Sequence, residues 1–329
     1  MKWSIKQVGA ALTALCLTVA TVVPAVAQDY PDRPVTLIVP FAAAGPGDII
    51  ARLIADAMRR SLGQEVIVVN MGGAGGTIGT ARVAAAKPDG YTILLGHTGQ
   101  ATQTSLYKSL TYDPVESFDT IGLVTEVPMT IVGKPGLEPA DLKTLITYIR
   151  ERPDKLNYAH SGLGSVAQLC GLMFMSATKT KMTVIPYKGG GEVMKDLLAG
   201  QIDVYCEPAT GTTANIQAGK IKAYAVTTKK RVGTLPDVPT TTEAGFPEIG
   251  ITTWYGLYAP KGTPAPVIAK LSTALQAAVV DSNVVTRFGP LSMVPVSPDQ
   301  ATPAALDAKL KSEVKYWSAL LKEAGVKPE

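Results

Sequence analysis

The residues best suited to chemistry lie in six short segments, each of which follows an apolar run and precedes a helical pattern. These segments are rich in Gly, Ala, Ser and Thr, and they comprise residues 41–48, 70–76, 96–100, 159–165, 186–191 and 206–212. Small residues leave backbone N–H groups accessible at helix N-termini, where the helix dipole favours anions. In open α/β sheets, such loops beyond the carboxyl ends of strands form the ligand site. The sequence therefore predicts a site for a small organic carboxylate.

Catalytic and nucleotide-binding motifs are incomplete in this sequence. Three copies of S-x-x-K occur without the partner motifs of that enzyme class, at Ser105–Lys108, Ser176–Lys179 and Ser312–Lys315. There is no G-x-S-x-G or H-E-x-x-H sequence, and Gly73–Gly79 has the spacing G-x-G-x-x-x-G, which is not a dinucleotide fingerprint. His97 and His160 stand far apart and lack the cysteine spacing of a zinc site. We therefore predict no catalytic residue, no metal and no cofactor, and an exported hydrolase is an alternative function.

Polar and aromatic side chains near the six segments each have a functional and a structural interpretation. His97 is either a hydrogen-bond donor to a ligand or a solvated loop residue, and His160 has the same alternatives with weaker support. Asp203 and Glu207 either orient a water molecule or accept a hydrogen bond from the ligand, or they cap a turn. Tyr187 either stacks on a ligand or covers the core. The residue types alone do not decide between these interpretations.

The elements that must position these residues alternate between strand and helix in two series. The first series has strands at Val35–Val39, 65–69 and 91–95. The second has strands at 156–158, 183–185, 203–205 and 223–226. A trailing segment returns to the first unit, which leaves crossings near 122–132 and 250–256 as candidate hinges. This pattern predicts an α/β protein with two lobes, each a mostly parallel sheet flanked by helices. We expect residues 28–125 and 253–329 to form the first lobe, and 126–252 the second.

Length and charge limit the partners. A chain of 329 residues suits about two domains. The net charge is +4, two of the cations are Lys2 and Lys6, and the longest basic run is Lys229–Arg231. Nucleic-acid binding requires a larger basic surface. We therefore expect a monomer that binds a small molecule and no nucleic acid.

The N-terminus indicates export. Lys2 and Lys6 precede an apolar run from Val8 to Val23, and Pro24–Ala27 then supplies an A-x-A type cleavage site. The apolar run has about 16 residues, fewer than the ~20 that span a bilayer. We interpret residues 1–27 as a cleaved signal peptide, with a soluble periplasmic chain from Gln28.

Two cysteines remain in the mature chain. Cys170 and Cys206 either pair in the oxidising compartment or stay as lone buried thiols. A protein of this size does not need a disulfide for stability, so lone thiols are the expectation.

Several blocks of sequence point to one family. They are Tyr30–Phe41, Tyr187–Gly191, Asp196–Asp203, Leu235–Thr240, Glu243–Phe246 and Ala259–Pro264. Together they resemble the substrate-binding proteins of tripartite tricarboxylate transporters, the Bug-type receptors. The resemblance implies a periplasmic, two-lobed receptor that closes on a small organic acid and delivers it to a two-component membrane permease.

In that family, backbone amides and ordered waters hold the carboxylate. Carried over by position, the contacts are Phe41, Ala44, Gly45, Pro46, Gly47, Thr98 and Gln100 in the first lobe, and Ser161, Gly164, Ser165 and Asp203 in the second. His97 and Tyr187 complete the candidate ligand-binding set.

Two positions depart from the family pattern. The loop Ala43–Asp48 lacks the two adjacent glycines that the family often has there, and Gln168 stands where many members have His. His97 and Gln100 give more donors than one carboxylate needs, so our hypothesis is a ligand with a second polar end. An aromatic diacid such as terephthalate is the specific expectation. The alternative function is a ligand sensor that docks a membrane signalling partner.

Overall fold

The chain folds into two lobes, each with a sheet that contains three parallel strands. The computed structural model describes residues 30–323 and 325–328. The predicted signal peptide, residues 1–27, lies outside the described residues. The strands are β1 (Val35–Val39), β2 (Val66–Asn70), β3 (Thr92–His97), β4 (Phe118–Gly133), β5 (Asn157–His160), β6 (Thr183–Pro186), β7 (Val204–Pro208), β8 (Lys222–Val226), β9 (Thr252–Pro260) and β10 (Val294–Pro295). The helices are α1 (Pro46–Leu62), α2 (Thr77–Ala84), α3 (Gln103–Leu106), α4 (Leu142–Glu151), α5 (Val166–Thr178), α6 (Gly190–Leu198), α7 (Ala209–Gln217), α8 (Ala265–Val279), α9 (Ser282–Phe288) and α10 (Pro303–Glu323).

The first lobe has the strand order β2-β1-β3-β9-β4, with β10 on the other side of β4. Strand β1 has the apolar sequence VTLIV and is almost fully buried, as expected for a central parallel strand. It pairs in parallel with β2 and β3. The pairs β3–β9, β9–β4 and β4–β10 are antiparallel. The parallel part thus comes from the β-α alternation, and the antiparallel part from strands that return from the other lobe.

The second lobe repeats this plan in the order β6-β5-β7-β4-β8. Strand β5 pairs in parallel with β6 and β7, whereas β4 pairs antiparallel with both β7 and β8. The carboxyl ends of β5, β6 and β7 therefore meet at one edge. The carboxyl ends of β1 and β3 meet at an edge of the first lobe in the same way.

Strand β4 belongs to both sheets. Its residues from Phe118 to Pro128 pair with β9, and those from Met129 to Gly133 pair with β7 and β8. The second connection between the lobes is the segment from β8 to β9, and it lies beside β4. Thr227 in this segment donates its N–H to the Met129 carbonyl and its hydroxyl to the Ile251 carbonyl. The crossings expected near 122–132 and 250–256 therefore lie within β4 and at the start of β9.

Helices cover both faces of the sheets. In α1 the apolar residues Ile50, Ile54 and Met58 are completely buried, and they pack in one cluster with Leu271 and Leu275 of α8. A second cluster runs from α10 through Trp254 of β9 into the second lobe, where it includes residues of α4 and α5. Trp254 and Trp317 are both buried core residues. The core is thus continuous beneath the crossing strands.

Cys170 and Cys206 form a disulfide, so the expectation of lone thiols was wrong. Helix α5 packs across β7 and brings the two Cα atoms within 6.2 Å. The pairing depends on this tertiary contact between residues 36 positions apart, which their sequence neighbourhoods do not reveal.

Candidate functional site

A cavity of about 200 Å³ lies between the lobes, at the edges where the parallel strands end. Its first-lobe lining is Phe41, Ala42, Gly45, Pro46, Gly47, Gly75, His97, Thr253 and Tyr255. Its second-lobe lining is Ser161, Ser165, Val166, Ala167, Lys188, Gly189, Gly190, Glu207 and Pro208. Clefts for drug-sized ligands have ~300–1,000 Å³, so this cavity suits a smaller molecule.

Three helix N-termini face this cavity. Helices α1 and α6 begin after Gly45 and Gly189, and neither glycine has a side chain to cap the first turn. Helix α5 begins after Ser165, whose hydroxyl accepts the N–H of Gln168. Each terminus favours an anion by ~0.3–1 kcal/mol, and by up to ~2 kcal/mol when partly buried. Termini from both lobes that converge on one cavity therefore form a site for a carboxylate.

His97 lies on the floor of the first-lobe side and is buried. Its Nδ1 accepts the N–H of Gly99 at 2.8 Å, so the neutral ring carries its proton on Nε2. The ring packs on Phe41 at 4.5 Å and on Tyr255 at 6.2 Å between centroids. Burial lowers the pKa of His97 to about 4, so the ring is neutral at pH 7. The structure therefore excludes the solvated loop interpretation and provides an uncharged N–H donor.

Glu207 lies at the carboxyl end of β7 and is buried in the second-lobe wall. The hydroxyl of Tyr205 donates a hydrogen bond to its Oε2. Burial raises the pKa of Glu207 to about 7, and the hydrogen bond from Tyr205 opposes that rise. The cavity therefore contains a carboxyl group whose charge changes near neutral pH.

Asp203, which was expected in the site, lies outside it. It precedes β7 and lies four positions before Glu207 in extended chain, which corresponds to about 13 Å. Its carboxylate pairs with Lys134 at 2.8 Å and accepts the N–H of Asn157 at 2.7 Å. Ligands bind at the carboxyl ends of parallel strands, and Asp203 is at the opposite end.

Seven of the thirteen expected residues line the cavity: Phe41, Gly45, Pro46, Gly47, His97, Ser161 and Ser165. The other six, Ala44, Thr98, Gln100, Gly164, Tyr187 and Asp203, do not. Thr98 accepts the N–H of Trp254 at 2.9 Å, and Gln100 donates to the carbonyl of Pro114 at 2.9 Å. These two residues hold the loop after β3 against its surroundings instead of facing the cavity.

The remaining expected residues also have structural partners. Tyr187 donates to Asp196 at 2.7 Å and packs against the core of the second lobe, which agrees with its covering role. Gly164 donates its N–H to Oε1 of Gln168 at 2.7 Å. Ala44 has a positive φ of 64° and donates its N–H to Asp48 at 2.9 Å. These contacts shape the loops that carry the cavity lining.

Other lining residues were absent from the predicted ligand-binding set. Gly75, Gly189 and Gly190 lie in segments that were recognised as candidate loops, but no side chain marked them. Thr253 and Tyr255 lie two residues apart on β9 and therefore face the same side of the strand. The alternation of side chains along β9 could have shown that these two residues lie on one face. Which face borders the cavity depends on how β9 pairs with β3 and β4, and the sequence does not show this.

The lobes touch at the mouth of the cavity. Tyr107 donates its hydroxyl to the carbonyl of Ala74 at 2.9 Å and lies 3.3 Å from the carbonyl of Leu163 in the second lobe. A Cβ on Gly75 would lie 2.4 Å from both the Leu163 oxygen and the Tyr107 hydroxyl. Close approach of the lobes therefore requires glycine at position 75.

Two lobes joined by crossing strands around a small cavity define a solute-binding receptor. The family model for the tripartite tricarboxylate transporter family receptor, TctC, matches residues 50–326. The chain belongs to this family, as its sequence blocks indicated. Receptors of this family are periplasmic, bind small carboxylates and work with membrane transporters. The chain is thus a receptor and not an enzyme.

Solved structures agree with this assignment. Periplasmic binding protein BugD is 48% identical with a TM-score of 0.85, over 91% of this chain and 100% of that chain. MatC from Rhodopseudomonas palustris, with bound malate, is 38% identical with a TM-score of 0.83, over 89% of this chain and 100% of that chain. The R. palustris protein Rpa4515, with adipate, is 31% identical with a TM-score of 0.85, over 91% of this chain and 100% of that chain. Within the described residues of our chain, no helix is both long and apolar enough to cross a membrane.

Proposed function

We propose that this protein captures a small organic dicarboxylate between its lobes and delivers it to a two-component membrane permease. The observation that carries the proposal is the convergence of the N-termini of α1, α5 and α6 on one cavity. No arginine is among the described residues that line this cavity. Oriented backbone N–H groups are a sufficient site for a carboxylate.

The second polar end of the ligand has donors available. Neutral His97, which lines the cavity, carries an N–H donor on Nε2, and Lys188 also lines the cavity. Malate and adipate, which are bound to MatC and Rpa4515, are both aliphatic diacids. They support an aliphatic diacid over the aromatic diacid expected from the sequence, and both classes belong in the test.

Transport requires export and closure. In our proposal the signal peptide is cleaved after Ala27, and the mature monomer acts in the periplasm. Residues 28–125 and 253–329 turn as one lobe against residues 126–252. The change of partners in β4 between Pro128 and Met129 supports a hinge close to that boundary.

The test is a thermal-shift and calorimetric screen of the chain from Gln28. It compares aliphatic, hydroxylated, amino and aromatic acids, each as monocarboxylate and dicarboxylate. A ligand at 100 times its Kd adds about 2.7 kcal/mol to the free energy of unfolding, which raises Tm by several degrees. A well-folded protein that responds to no carboxylate would contradict the proposal. A ligand-dependent complex with the membrane signalling partner, and none with the permease, would favour the sensor alternative.

A further inference from the structure

Glu207 is the only carboxylate among the described residues that line the cavity. The other polar groups there are mainly donors, because they are helix N-termini, the Nε2–H of His97 and the ammonium group of Lys188. An acidic side chain among donors is out of place in a site that only clamps carboxylates. Its presence requires a specific role.

The two oxygens of the Glu207 carboxylate have different neighbours. Tyr205 donates to Oε2, whereas a Cβ on Gly190 would lie 2.8 Å from Oε1 and 3.0 Å from the Tyr205 hydroxyl. Gly190 is itself part of the cavity lining, and the absence of a side chain there leaves room for the carboxylate. Oε1 therefore lies beside the start of α6, at the cavity wall.

We propose that Glu207 determines specificity, and that the bound dicarboxylate carries a hydrogen-bond donor, a hydroxyl or an ammonium group, which Glu207 accepts. This inference rests on the proposed function, since it names the substrate class of the same cavity. Tyr205 is the positioning residue, because its hydrogen bond fixes the orientation of the Glu207 carboxylate.

The physical reason is the cost of an unpaired buried acceptor. An ionised Glu207 repels a ligand carboxylate placed against it, and a ligand without a donor leaves Oε1 unpaired. A site that accepts a hydrogen bond from a ligand rejects analogues that lack the donor much more strongly than an apolar site rejects a missing methylene. A ligand without a donor therefore binds only when Glu207 is protonated.

Among the described residues, no cation lies close enough to Glu207 to lower its pKa, so none removes this requirement. Facing it are Tyr205 on its own strand, Tyr158 on β5 and Tyr255 on β9, and burial raises the pKa of all three phenols, so they remain neutral. Helices α5 and α7 contain no Asp, Glu, Lys, Arg or His.

The other titratable groups near this wall are already engaged or exposed. Neutral His97 lies in the opposite lobe, and Nδ1 of His160 lies 3.0 Å from the Gly162 carbonyl. On α6, Asp196 accepts from Tyr187 and Glu192 accepts the N–H of Lys188. The Lys188 side chain is exposed, so water screens it.

The test measures the Kd of three four-carbon diacids, succinate, malate and aspartate, by calorimetry at pH 6 and pH 8. If the carboxylate screen identifies a longer ligand, glutarate, 2-hydroxyglutarate and glutamate replace them. At pH 8 we expect malate or aspartate to bind at least about tenfold more tightly than succinate. Burial places the pKa of Glu207 at about 7. The protonated fraction then changes about tenfold between pH 8 and pH 6, and the affinity for succinate should rise by about that factor.

Two variants separate this role from a structural one. Glu207→Gln cannot ionise, so the affinity for succinate should lose its pH dependence, and aspartate should lose more affinity than malate because the amide has no charge. Tyr205→Phe removes the donor to Oε2 and should shift the midpoint of the succinate profile to higher pH. Circular dichroism checks that each variant is folded, and the wild-type pH profile tests the inference even if a variant does not fold.

The outcomes distinguish the inference from the function on which it rests. Equal and pH-independent affinities for the three diacids would overturn the role of Glu207 and leave the receptor function intact. Failure of every carboxylate to bind would instead contradict the proposed function itself.

Discussion

His97 and Glu207 are buried on opposite walls of the same cavity, and burial displaces their pKa values in opposite directions. The pKa of His97 falls from 6.5 to about 4, and that of Glu207 rises from 4.5 to about 7. In both residues burial favours the uncharged form. The folded protein therefore keeps two neutral titratable groups over much of the range from pH 4 to pH 7.

These shifts affect stability with opposite signs. In the unfolded chain Glu207 loses its proton above about pH 4.5, whereas in the folded protein it keeps the proton until about pH 7. The free energy of unfolding therefore falls as the pH rises from 4.5 to 7. In the unfolded chain His97 gains a proton below about pH 6.5, whereas in the folded protein it stays neutral until about pH 4. The free energy of unfolding therefore falls as the pH falls from 6.5 to 4. Between pH 4.5 and pH 6.5 the two contributions oppose each other.

Glu207→Gln removes the effect of Glu207 ionisation on stability and leaves that of His97 protonation. We expect this variant to be more stable than the wild type at pH 8, by roughly 3 kcal/mol. It should also lose stability more steeply than the wild type between pH 6.5 and pH 4.5. Urea unfolding at several pH values measures both effects. His97→Gln is the complementary control, and it should lose stability as the pH rises from 4.5 to 7. If stability depended on pH in the same way in the wild type and in Glu207→Gln, the raised pKa of Glu207 would be contradicted.

For individual residues, the sequence predicted which residue types the site contains better than which positions supply them. The Gly-rich loop after β1 was recognised because small residues and a helical pattern are local signals. Asp203 and Glu207 were not told apart, since both flank one strand and the choice depends on which strand end faces the ligand. Ligands bind at the carboxyl ends of parallel strands, which favours Glu207, whereas the family resemblance placed Asp203 in the site.

At the scale of elements, the disulfide joins α5 to β7 directly before Glu207. We expect a Cys170→Ser, Cys206→Ser double variant to lose about 4 kcal/mol of stability, because the chain-entropy effect applies to a separation of 36 residues. That loss lowers Tm by roughly 6 °C for a single unit of this size. Calorimetry of the double variant, with the reduced wild type as control, measures it. Identical melting of oxidised and reduced wild type would show that the crosslink does not stabilise the protein.

Elements with local signals were predicted well. The strands β1, β3 and β7 and the helices α1, α5 and α8 have apolar runs or helical periods that depend on neighbouring residues alone. Of strand β4, only residues 122–132 were expected, as a crossing between the lobes. Its full length was not predicted, because it contains Thr, Glu and Pro residues and acquires its partners from both lobes. Helix α9 was also missed, since it has only seven residues, although Asp281 caps its N-terminus.

At the scale of the molecule, Gly75 controls how closely the lobes approach. We expect Gly75→Ala to weaken ligand binding by roughly tenfold or more, because the new Cβ meets the Leu163 carbonyl and lowers the population of the closed form. Calorimetry measures the affinity, and small-angle X-ray scattering measures the compaction on ligand binding.

Gly63→Ala is the matched control for this substitution. Gly63 also has a positive φ, of 70° against 61° at Gly75, but no atom lies within 4 Å of its added Cβ. Both variants strain the backbone, and only the one at position 75 obstructs closure. Equal affinities in the two variants would mean that closure does not depend on Gly75.

The shared strand β4 has a consequence for the way in which the protein unfolds. In the second lobe, β7 and β8 lie on either side of β4, and in the first lobe β9 and β10 do so, so neither sheet is complete without it. Two-lobed proteins often melt lobe by lobe, but here the loss of β4 from one sheet removes the central partner of the other. We expect a single calorimetric transition with a calorimetric-to-van't Hoff enthalpy ratio close to 1, and two resolved transitions would contradict it. In our proposal the lobes turn about a hinge in β4 during ligand binding, and the same strand is expected to make the whole receptor unfold as one cooperative unit.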